Sequence, residues 1–287
     1  MSTFTKDSTF TLTNGVEIPA VGFGTFRAEG DAGEKAILDA LDAGYRHLDT
    51  ASMYQNEEVV GQAIKKSGIP REEIFVTTKL WNDIRDYEGA KTSLATSLKK
   101  LDLEYVDLFL IHWPNPASLR HIPDAWEARN RDIWRYLEEA LEQGLVRAIG
   151  VSDFHERHID SLLETANVVP HVNQIYVSPS DLQLELVAAN AKHHILTQAY
   201  SPLGKGTLLD APELKELAQK YGKTPAQVIL RWNLQKGYNP LPKSVTPSRI
   251  RENIDLFDFE LSADELQKMD TLKGIGQVAV NPDEVDF

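Results

Sequence analysis

Short β-rich runs alternate with amphipathic helical patterns along most of this chain, and this alternation restricts the fold more than any other feature. It is typical of βα units that build a parallel sheet. The run from Val106 to Ile111 is almost entirely apolar, as expected for a strand buried on both faces. The eight runs that qualify as strands cover residues 21–23, 46–49, 75–79, 106–111, 147–151, 171–175, 195–199 and 239–241.

Eight βα units that close on themselves form a TIM barrel, so the predicted fold class is an α/β (β/α)8 barrel. Ahead of these units, residues 9–12 and 16–18 flank an Asn-Gly pair, which is typical of a β-hairpin turn. The alternative is a doubly wound open sheet, which needs a glycine-rich phosphate turn early in the chain. The early cluster at residues 22–25 (GFGT) lacks the third glycine of that turn. We therefore predict a single barrel domain over residues 1–287, a length that barrels commonly reach, with an N-terminal hairpin.

Four polar residues stand at or just after the ends of successive predicted strands. Asp49 ends the second strand, and Tyr54 lies in the loop after it. Lys79 ends the third strand, and His112 follows the fourth. Because TIM-barrel active sites lie at the C-terminal ends of the strands, we expect the four side chains to converge on one mouth. Taken singly, each has a commoner explanation as a packing tyrosine, a structural histidine or half of an ion pair, but four complementary groups together favour catalysis.

These residue types suit the transfer of a proton to a carbonyl oxygen. A free tyrosine hydroxyl has a pKa of about 10, and a neighbouring ammonium such as that of Lys79 lowers it. A buried lysine tends to lose its proton, so Asp49 is expected to keep Lys79 charged. His112 can hydrogen-bond the reacting oxygen, which leaves Tyr54 as the general acid.

Three motifs give the chain a resemblance to the aldo-keto reductases. They lie at residues 43–51 (AGYRHLDTA, continued by Tyr54), at residues 110–114 (LIHWP) and at residues 241–244 (LPKS). The resemblance extends over essentially the whole chain, and residues 222–227 (GKTPAQ) make it similar to the prokaryotic 2,5-diketo-gluconate reductases. It implies a TIM barrel, an NADPH cofactor bound without a Rossmann domain, and reduction of aldehydes or ketones. The catalytic tetrad that it implies is Asp49, Tyr54, Lys79 and His112.

The resemblance also assigns residues to the cofactor. Those implied near the nicotinamide are Gly24, Thr25, Ser152, Asp153, Gln174 and Tyr200, the last as the stacking ring. Those implied along the pyrophosphate and around the adenosine are Ser201, Leu203, Lys243, Ser244, Arg249, Glu252 and Asn253. A phosphate dianion prefers an ammonium or guanidinium partner, so the preference for NADPH over NADH rests on Lys243 and Arg249. A solvated basic face before a helix is the plainer interpretation of these two cations.

Three positions depart from the family pattern. Asp153 stands where the family usually has Asn, and Tyr176 and Ser178 stand where it often has Glu and His. An ionised carboxylate only accepts hydrogen bonds, whereas an amide also donates them. One hypothesis is that Asp153 places negative charge near the nicotinamide and favours the oxidised cofactor. The alternative is a solvated carboxylate that turns away, and the effect of the other two changes is left open.

The candidate walls of the substrate pocket are the aromatic residues Phe26, Trp81 and Trp113, which suit small carbonyl compounds of mixed polarity. A polar loop at residues 115–131 follows the fourth strand. It either accepts the carboxylate of a keto-sugar acid such as 2,5-diketo-gluconate or forms a solvated face. Its basic residues are Arg120, His121, Arg129 and Arg131.

Two other function classes stay open. A regulatory subunit could use the same fold without turnover, although the intact tetrad argues against it. A metal-dependent barrel hydrolase would need clustered histidines and carboxylates. His47, His112 and the pair His193-His194 show no ligand-like spacing with acids, so we expect no metal.

The net charge and the cysteine content restrict the classes of binding partner and the compartment that we expect for this protein. A net charge of -13 argues against nucleic acid and against an anionic membrane surface. The chain has no cysteine, which excludes disulfides and fits a reducing compartment. Residues 1–10 lack the apolar stretch of a secretory signal, and no apolar run is long enough to span a membrane. We expect a cytoplasmic monomer whose partners are NADPH and a small carbonyl compound.

Overall fold

Eight parallel strands form one sheet in the computed structural model, which describes residues 4–286. Each strand pairs with the next one along the chain, as in a TIM barrel. The sheet closes where the Gly22 and Gly24 amides donate to the Pro240 and Pro242 carbonyls, both at 3.0 Å. The strands are β1 (Thr9–Thr11), β2 (Glu17–Pro19), β3 (Phe23–Gly24), β4 (His47–Asp49), β5 (Phe75–Leu80), β6 (Val106–Ile111), β7 (Val146–Ser152), β8 (Val172–Tyr176), β9 (Leu196–Tyr200) and β10 (Asn239–Leu241).

The helices cover the outside of this sheet. In the first of them, Ala36, Ile37, Ala40 and Leu41 recur at helical spacing and are buried against the strands. Each buried isoleucine or leucine of this kind contributes roughly 1.5–3 kcal/mol of transfer free energy. The helices are α1 (Gly30–Ala43), α2 (Glu57–Ser67), α3 (Tyr87–Leu101), α4 (Ala125–Glu142), α5 (Glu156–Leu163), α6 (Leu184–Lys192), α7 (Pro212–Tyr221), α8 (Pro225–Gln235), α9 (Pro247–Ile254) and α10 (Ala263–Asp270).

The antiparallel pair β1 and β2 is the predicted hairpin. At its turn Gly15 has φ +81°, a left-handed conformation that glycine adopts without strain. The hairpin packs Leu12 and Ile18 against Phe75 and Leu108, at the end of the barrel opposite the strand C-termini. This apolar plug leaves the other end for polar side chains.

The predicted fold class and hairpin are confirmed, and the predicted strand bounds differ from the observed ones by two residues at most. The runs at 106–111 and 239–241 have the observed bounds, whereas 171–175 and 195–199 are one residue early. Ladder hydrogen bonds rather than composition decide where a strand ends, which explains these shifts. A single domain over residues 1–287 stays a prediction. Within residues 4–286, no helix is both long enough and apolar enough to cross a membrane.

Candidate active site

The four tetrad candidates lie together at the C-terminal ends of β4, β5 and β6. Lys79 and Asp49 are buried, and Nζ of the lysine lies 2.7 Å from Oδ1 of the aspartate. The same Nζ lies 5.1 Å from the ring centroid of Tyr54. His112 follows β6 directly, and its ring centroid lies 5.9 Å from that of Tyr54. The parallel sheet therefore brings together residues separated by up to 63 positions in the chain.

The Lys79–Asp49 ion pair is completed by backbone and amide groups. The ammonium also donates to the Thr50 carbonyl at 2.9 Å, and the Gln174 amide donates to Oδ2 of Asp49 at 2.7 Å. Burial by itself would lower the pKa of Lys79, but Asp49 and Tyr54 outweigh it and hold that pKa above its usual value. The lysine is therefore a permanent buried cation beside the phenol.

The pKa of Tyr54 lies above its usual value. Burial of the phenol is the larger influence, and the Lys79 ammonium opposes it. Lys79 does lower the pKa of Tyr54, as expected, but burial raises that pKa by more. Tyr54 is consequently a protonated phenol at neutral pH, and the adjacent cation stabilises the phenolate left after it gives up its proton.

His112 is a neutral imidazole. Burial, and after it the Lys79 charge, hold its pKa well below 6.5. A neutral ring can donate one hydrogen bond to a substrate oxygen without competing as a proton donor. Trp81 lies edge-on to the imidazole with ring centroids 5.0 Å apart, and Phe26 lies 5.0 Å from Tyr54. These aromatic rings flank the polar groups, and Trp113, next in the chain to His112, is buried.

The residues implied near the nicotinamide lie around the same mouth. The Ser152 hydroxyl donates to the Gln174 carbonyl at 2.8 Å, and the Thr25 hydroxyl donates to the Asp49 carbonyl at 2.9 Å. Gly24 lies against the Lys243 loop, because a Cβ there would sit 3.5 Å from the Lys243 Cβ. The Ser152 and Thr25 side chains therefore hold strand ends together, and the Gln174 amide ties this part of the site to the tetrad.

Asp153 is buried at the end of β7, so the alternative of a solvated carboxylate that turns away is wrong. Only 6% of the residue is exposed. The Tyr200 hydroxyl donates to its Oδ1 at 3.3 Å, and its Oδ2 is buried without a partner. Burial raises the pKa of this carboxyl well above its usual value.

Two exposed cations follow β10 at the closing edge of the barrel: Lys243 in the loop and Arg249 in α9. Among residues 4–286, neither Lys243 nor Arg249 forms a salt bridge. Partial burial lowers the pKa of Lys243, and Arg27 from the loop after β3 lowers it further. Arg27 could not be predicted from the sequence as part of this cluster, because only closure of the barrel brings residue 27 next to residue 243. Cations that lie close together without a carboxylate fit an anionic ligand.

Three of the remaining cofactor candidates, Ser244, Glu252 and Asn253, lie near these cations in the chain, and the other two follow β9. The Ser244 hydroxyl accepts from the Thr246 amide at 3.1 Å, and Glu252 accepts from the Thr224 hydroxyl at 2.7 Å. Asn253 is buried in α9. Ser201 and Leu203 follow β9, and Ser201 has φ +46° in a tight turn. Residues 4–286 contain no group of three His, Cys, Asp or Glu side chains that could hold a metal.

A family profile described as "Aldo/keto reductase family" matches residues 20–273. The chain belongs to this family. The methylglyoxal reductase DkgA of Yersinia pestis is 45% identical over 270 residues, 92% of this chain and 94% of the relative. The glyoxal reductase of Bacillus subtilis is 44% identical over 288 residues, the whole of both chains. The Bombyx mori aldo-keto reductase solved in complex with NADP has a TM-score of 0.86 at 37% identity, over 96% of this chain and 95% of that one.

Membership makes this protein an NADPH-dependent oxidoreductase that reduces carbonyl groups. The family expected from the three motifs is thereby confirmed. The residues present suit a cofactor with a charged phosphate end and a polar nicotinamide end. Lys243 after β10 and Arg249 in α9 suit the phosphate end, and the unpartnered Asp153 oxygen suits the nicotinamide end.

The predicted loop at residues 115–131 ends where α4 begins, so Arg129 and Arg131 lie in that helix, and its arginines bind groups of the protein itself. Arg120 donates to the Asn115 and Pro282 carbonyls at 3.0 Å, and Arg131 pairs with Glu127 and Glu164. His121 is exposed. Arg120 and Arg131 are therefore not free to bind the carboxylate of a substrate.

Arg129 of the reductase is buried and holds two pocket walls in place. Its guanidinium donates to the carbonyls of Ile84 at 2.7 Å, Trp113 at 3.3 Å and Trp81 at 3.4 Å. Burial lowers its pKa to about 9, so it stays charged at neutral pH. This clamp on the loops after β5 and β6 was not predicted from the sequence.

Arg129→Met is expected to lower kcat/KM for carbonyl substrates by about 10- to 100-fold, because the two walls lose their common anchor. The Kd for NADPH should change little, since Arg129 touches none of the cofactor candidates. Steady-state kinetics and a binding titration measure both quantities. Arg135→Met, in the same helix but exposed, is the matched control. Equal kcat/KM for the two variants would contradict the clamp.

The departures Tyr176 and Ser178 belong to a buried hydroxyl cluster with Ser180. The Tyr176 hydroxyl donates to the Gln277 carbonyl at 2.8 Å, and Ser180 donates to the same carbonyl at 2.5 Å. Ser178 and Ser180 lie 2.6 Å apart. These residues therefore hold the C-terminal tail against the end of β8.

Proposed function

We propose that this reductase converts small 2-oxoaldehydes such as methylglyoxal and glyoxal into hydroxycarbonyl compounds, with Tyr54 as the general acid. The observation that carries the proposal is the Tyr54 phenol, which lies beside the buried Lys79–Asp49 pair and neutral His112. The names of the Yersinia and Bacillus relatives support the substrate class.

The proposed roles follow from the charges of the tetrad. The hydroxyl of Tyr54 donates its proton to the carbonyl oxygen of the substrate, and Lys79 stabilises the phenolate that remains. His112 donates a hydrogen bond that orients and polarises the same oxygen. Asp49 keeps Lys79 charged, while Phe26, Trp81 and Trp113 exclude water. NADPH, when bound, supplies the hydride.

The cofactor is proposed to lie across the strand ends from β7 to β10 and the adjoining end of β3. The residues proposed to contact it are Gly24, Thr25, Ser152, Asp153, Gln174, Tyr200, Ser201, Leu203, Lys243, Ser244, Arg249, Glu252 and Asn253. The adenosine phosphate belongs at Lys243 and Arg249, because the resemblance places both around it and both are exposed cations that could pair with a phosphate.

Arg249→Ala is expected to raise the Kd for NADPH by about 10- to 100-fold, as for loss of a charge-assisted hydrogen bond. The Kd for NADH, which lacks the 2′-phosphate, should change by less than about twofold. Isothermal titration calorimetry with both cofactors measures this. Arg251→Ala, an exposed neighbour in α9, is the matched control. An equal rise in Kd for NADPH and NADH would mean that Arg249 does not contact the 2′-phosphate.

The engaged arginines favour an uncharged substrate over a keto-sugar acid. A carboxylate would have to displace Arg120 or Arg131 from existing partners and bury its charge without a free cation. A panel of methylglyoxal, glyoxal and 2,5-diketo-gluconate with NADPH tests this through kcat/KM. The two oxoaldehydes should be preferred by at least about tenfold. Preference for the sugar acid would overturn the substrate class, and no turnover on any carbonyl would favour the regulatory subunit.

The cytoplasmic location, the monomeric state and the absence of a nucleic-acid partner stay predictions from the sequence.

A further inference from the structure

The carboxyl group of Asp153 is buried without a cation. Within residues 4–286, the other two buried aspartates each have one: Lys79 for Asp49, and Arg71 with Arg147 for Asp107. None of the salt bridges among residues 4–286 includes Asp153. Its Oδ1 accepts from Tyr200, and its Oδ2 has no partner. Unlike Asp49 and Asp107, Asp153 therefore has no ion-pair partner that would stabilise a negative charge on its carboxyl group.

An isolated carboxylate is costly to bury, so such a group keeps its proton. Burial raises the pKa of Asp153 well above 3.8, and hydrogen bonds from Tyr200 and from the Tyr176 backbone only partly oppose this. A protonated carboxyl carries an O–H donor as well as an acceptor. Neutral Asp153 thus offers the donor and acceptor that an asparagine would offer at the same position.

We infer that Asp153 selects between the oxidation states of the cofactor by carrying or releasing one proton. Neutral Asp153 accepts the uncharged nicotinamide of NADPH. The positively charged ring of NADP⁺ favours the carboxylate, so the Oδ2–H bond breaks on NADP⁺ binding and the proton passes to solvent. The inference rests on the proposed function, because it needs the nicotinamide to lie beside Asp153.

The groups that face Asp153 leave it as the one that titrates. Tyr200 on β9 and Tyr54 after β4 both have raised pKa values, and burial is the first cause in each case. They stay neutral well above pH 7. The charges of Lys79 and Asp49 compensate each other, because Nζ of the lysine lies 2.7 Å from Oδ1 of the aspartate.

The test is calorimetric titration of the protein with NADP⁺ and with NADPH from about pH 6 to about pH 9. The ratio of the two Kd values cancels the titration of the 2′-phosphate, which both cofactors carry. In the wild type, Kd for NADP⁺ divided by Kd for NADPH should fall at least about tenfold as the pH rises. In Asp153→Asn the ratio should stay constant. Asp42→Asn, at an exposed site in α1, should behave as the wild type.

Proton release gives a second readout that needs no variant. Titrations in buffers of different ionisation enthalpy count the protons released on binding. The wild type should release more with NADP⁺ than with NADPH. A constant ratio or equal proton release would overturn the inference alone. Failure of the wild type to bind either cofactor would overturn the proposed function as well, so the two failures are distinguishable.

A third readout needs no cofactor. An aspartate in the unfolded chain has a pKa of about 3.9, and the pKa of Asp153 in the folded protein is higher. At a pH between these two pKa values, the folded protein therefore holds a proton that the unfolded chain has released. The contribution of Asp153 to stability is therefore complete below the unfolded pKa and is lost as the pH rises towards the folded value. Urea unfolding should show the wild type losing stability relative to Asp153→Asn as the pH rises from 4. Parallel curves would contradict a protonated Asp153.

Discussion

Tyr54→Phe is expected to lower kcat for methylglyoxal by at least about 100-fold and to leave the Kd for NADPH within about twofold of the wild-type value. The phenylalanine keeps the ring that packs 5.0 Å from Phe26 but has no proton to give. Neither of the other two proton-bearing groups of the tetrad replaces that proton. The pKa of His112 is held well below its usual value, and Lys79 is committed to Asp49 and the Thr50 carbonyl.

The measurement is steady-state NADPH oxidation followed by absorbance, together with a cofactor titration. Tyr105→Phe is the matched control, because its ring lies 4.2 Å from the Arg71 guanidinium, outside the mouth. If Tyr54→Phe kept most of its kcat, another group would have to be the proton donor. If it lost NADPH binding instead, the tyrosine would be a cofactor contact.

The barrel could be predicted because the sequence patterns that specify its strands and helices are each confined to a short stretch of the chain. Each strand is a short apolar run, each helix carries an apolar stripe, and the Asn-Gly pair fixes the hairpin. The tetrad could be predicted for a related reason: Asp49, Lys79 and His112 each stand at the end of such a run. Position in the sequence then implies position at the mouth.

Other features depend on contacts between distant segments, which no local pattern records. The sequence places Arg129 in a polar loop that either binds a carboxylate or faces solvent, yet folding buries it in α4 against carbonyls from two loops. Arg27 meets Lys243 only when the barrel closes. The state of Asp153 is of the same kind, since a carboxyl group in a sequence carries no sign of whether a cation will reach it.

Lys79→Met is expected to abolish most turnover and to cost about 3–5 kcal/mol of folding stability. The methionine is similar in size, so the change removes mainly a charge. Asp49 would stay buried with only the Gln174 amide as a donor to its side chain, and a buried carboxylate without its cation is strongly destabilising. Removing Lys35 from its exposed pair with Asp39 should cost less than about 1 kcal/mol, which makes Lys35→Met the control.

The double variant Asp49→Asn/Lys79→Met separates the two effects. Replacing both charges leaves no uncompensated ion, so urea unfolding should show most of the lost stability restored. Turnover should stay at the level of Lys79→Met, because the phenolate of Tyr54 still lacks its cation. A double variant that recovered turnover along with stability would mean that the pair matters only for folding. One that recovered neither would place the loss in packing around residues 49 and 79 rather than in charge.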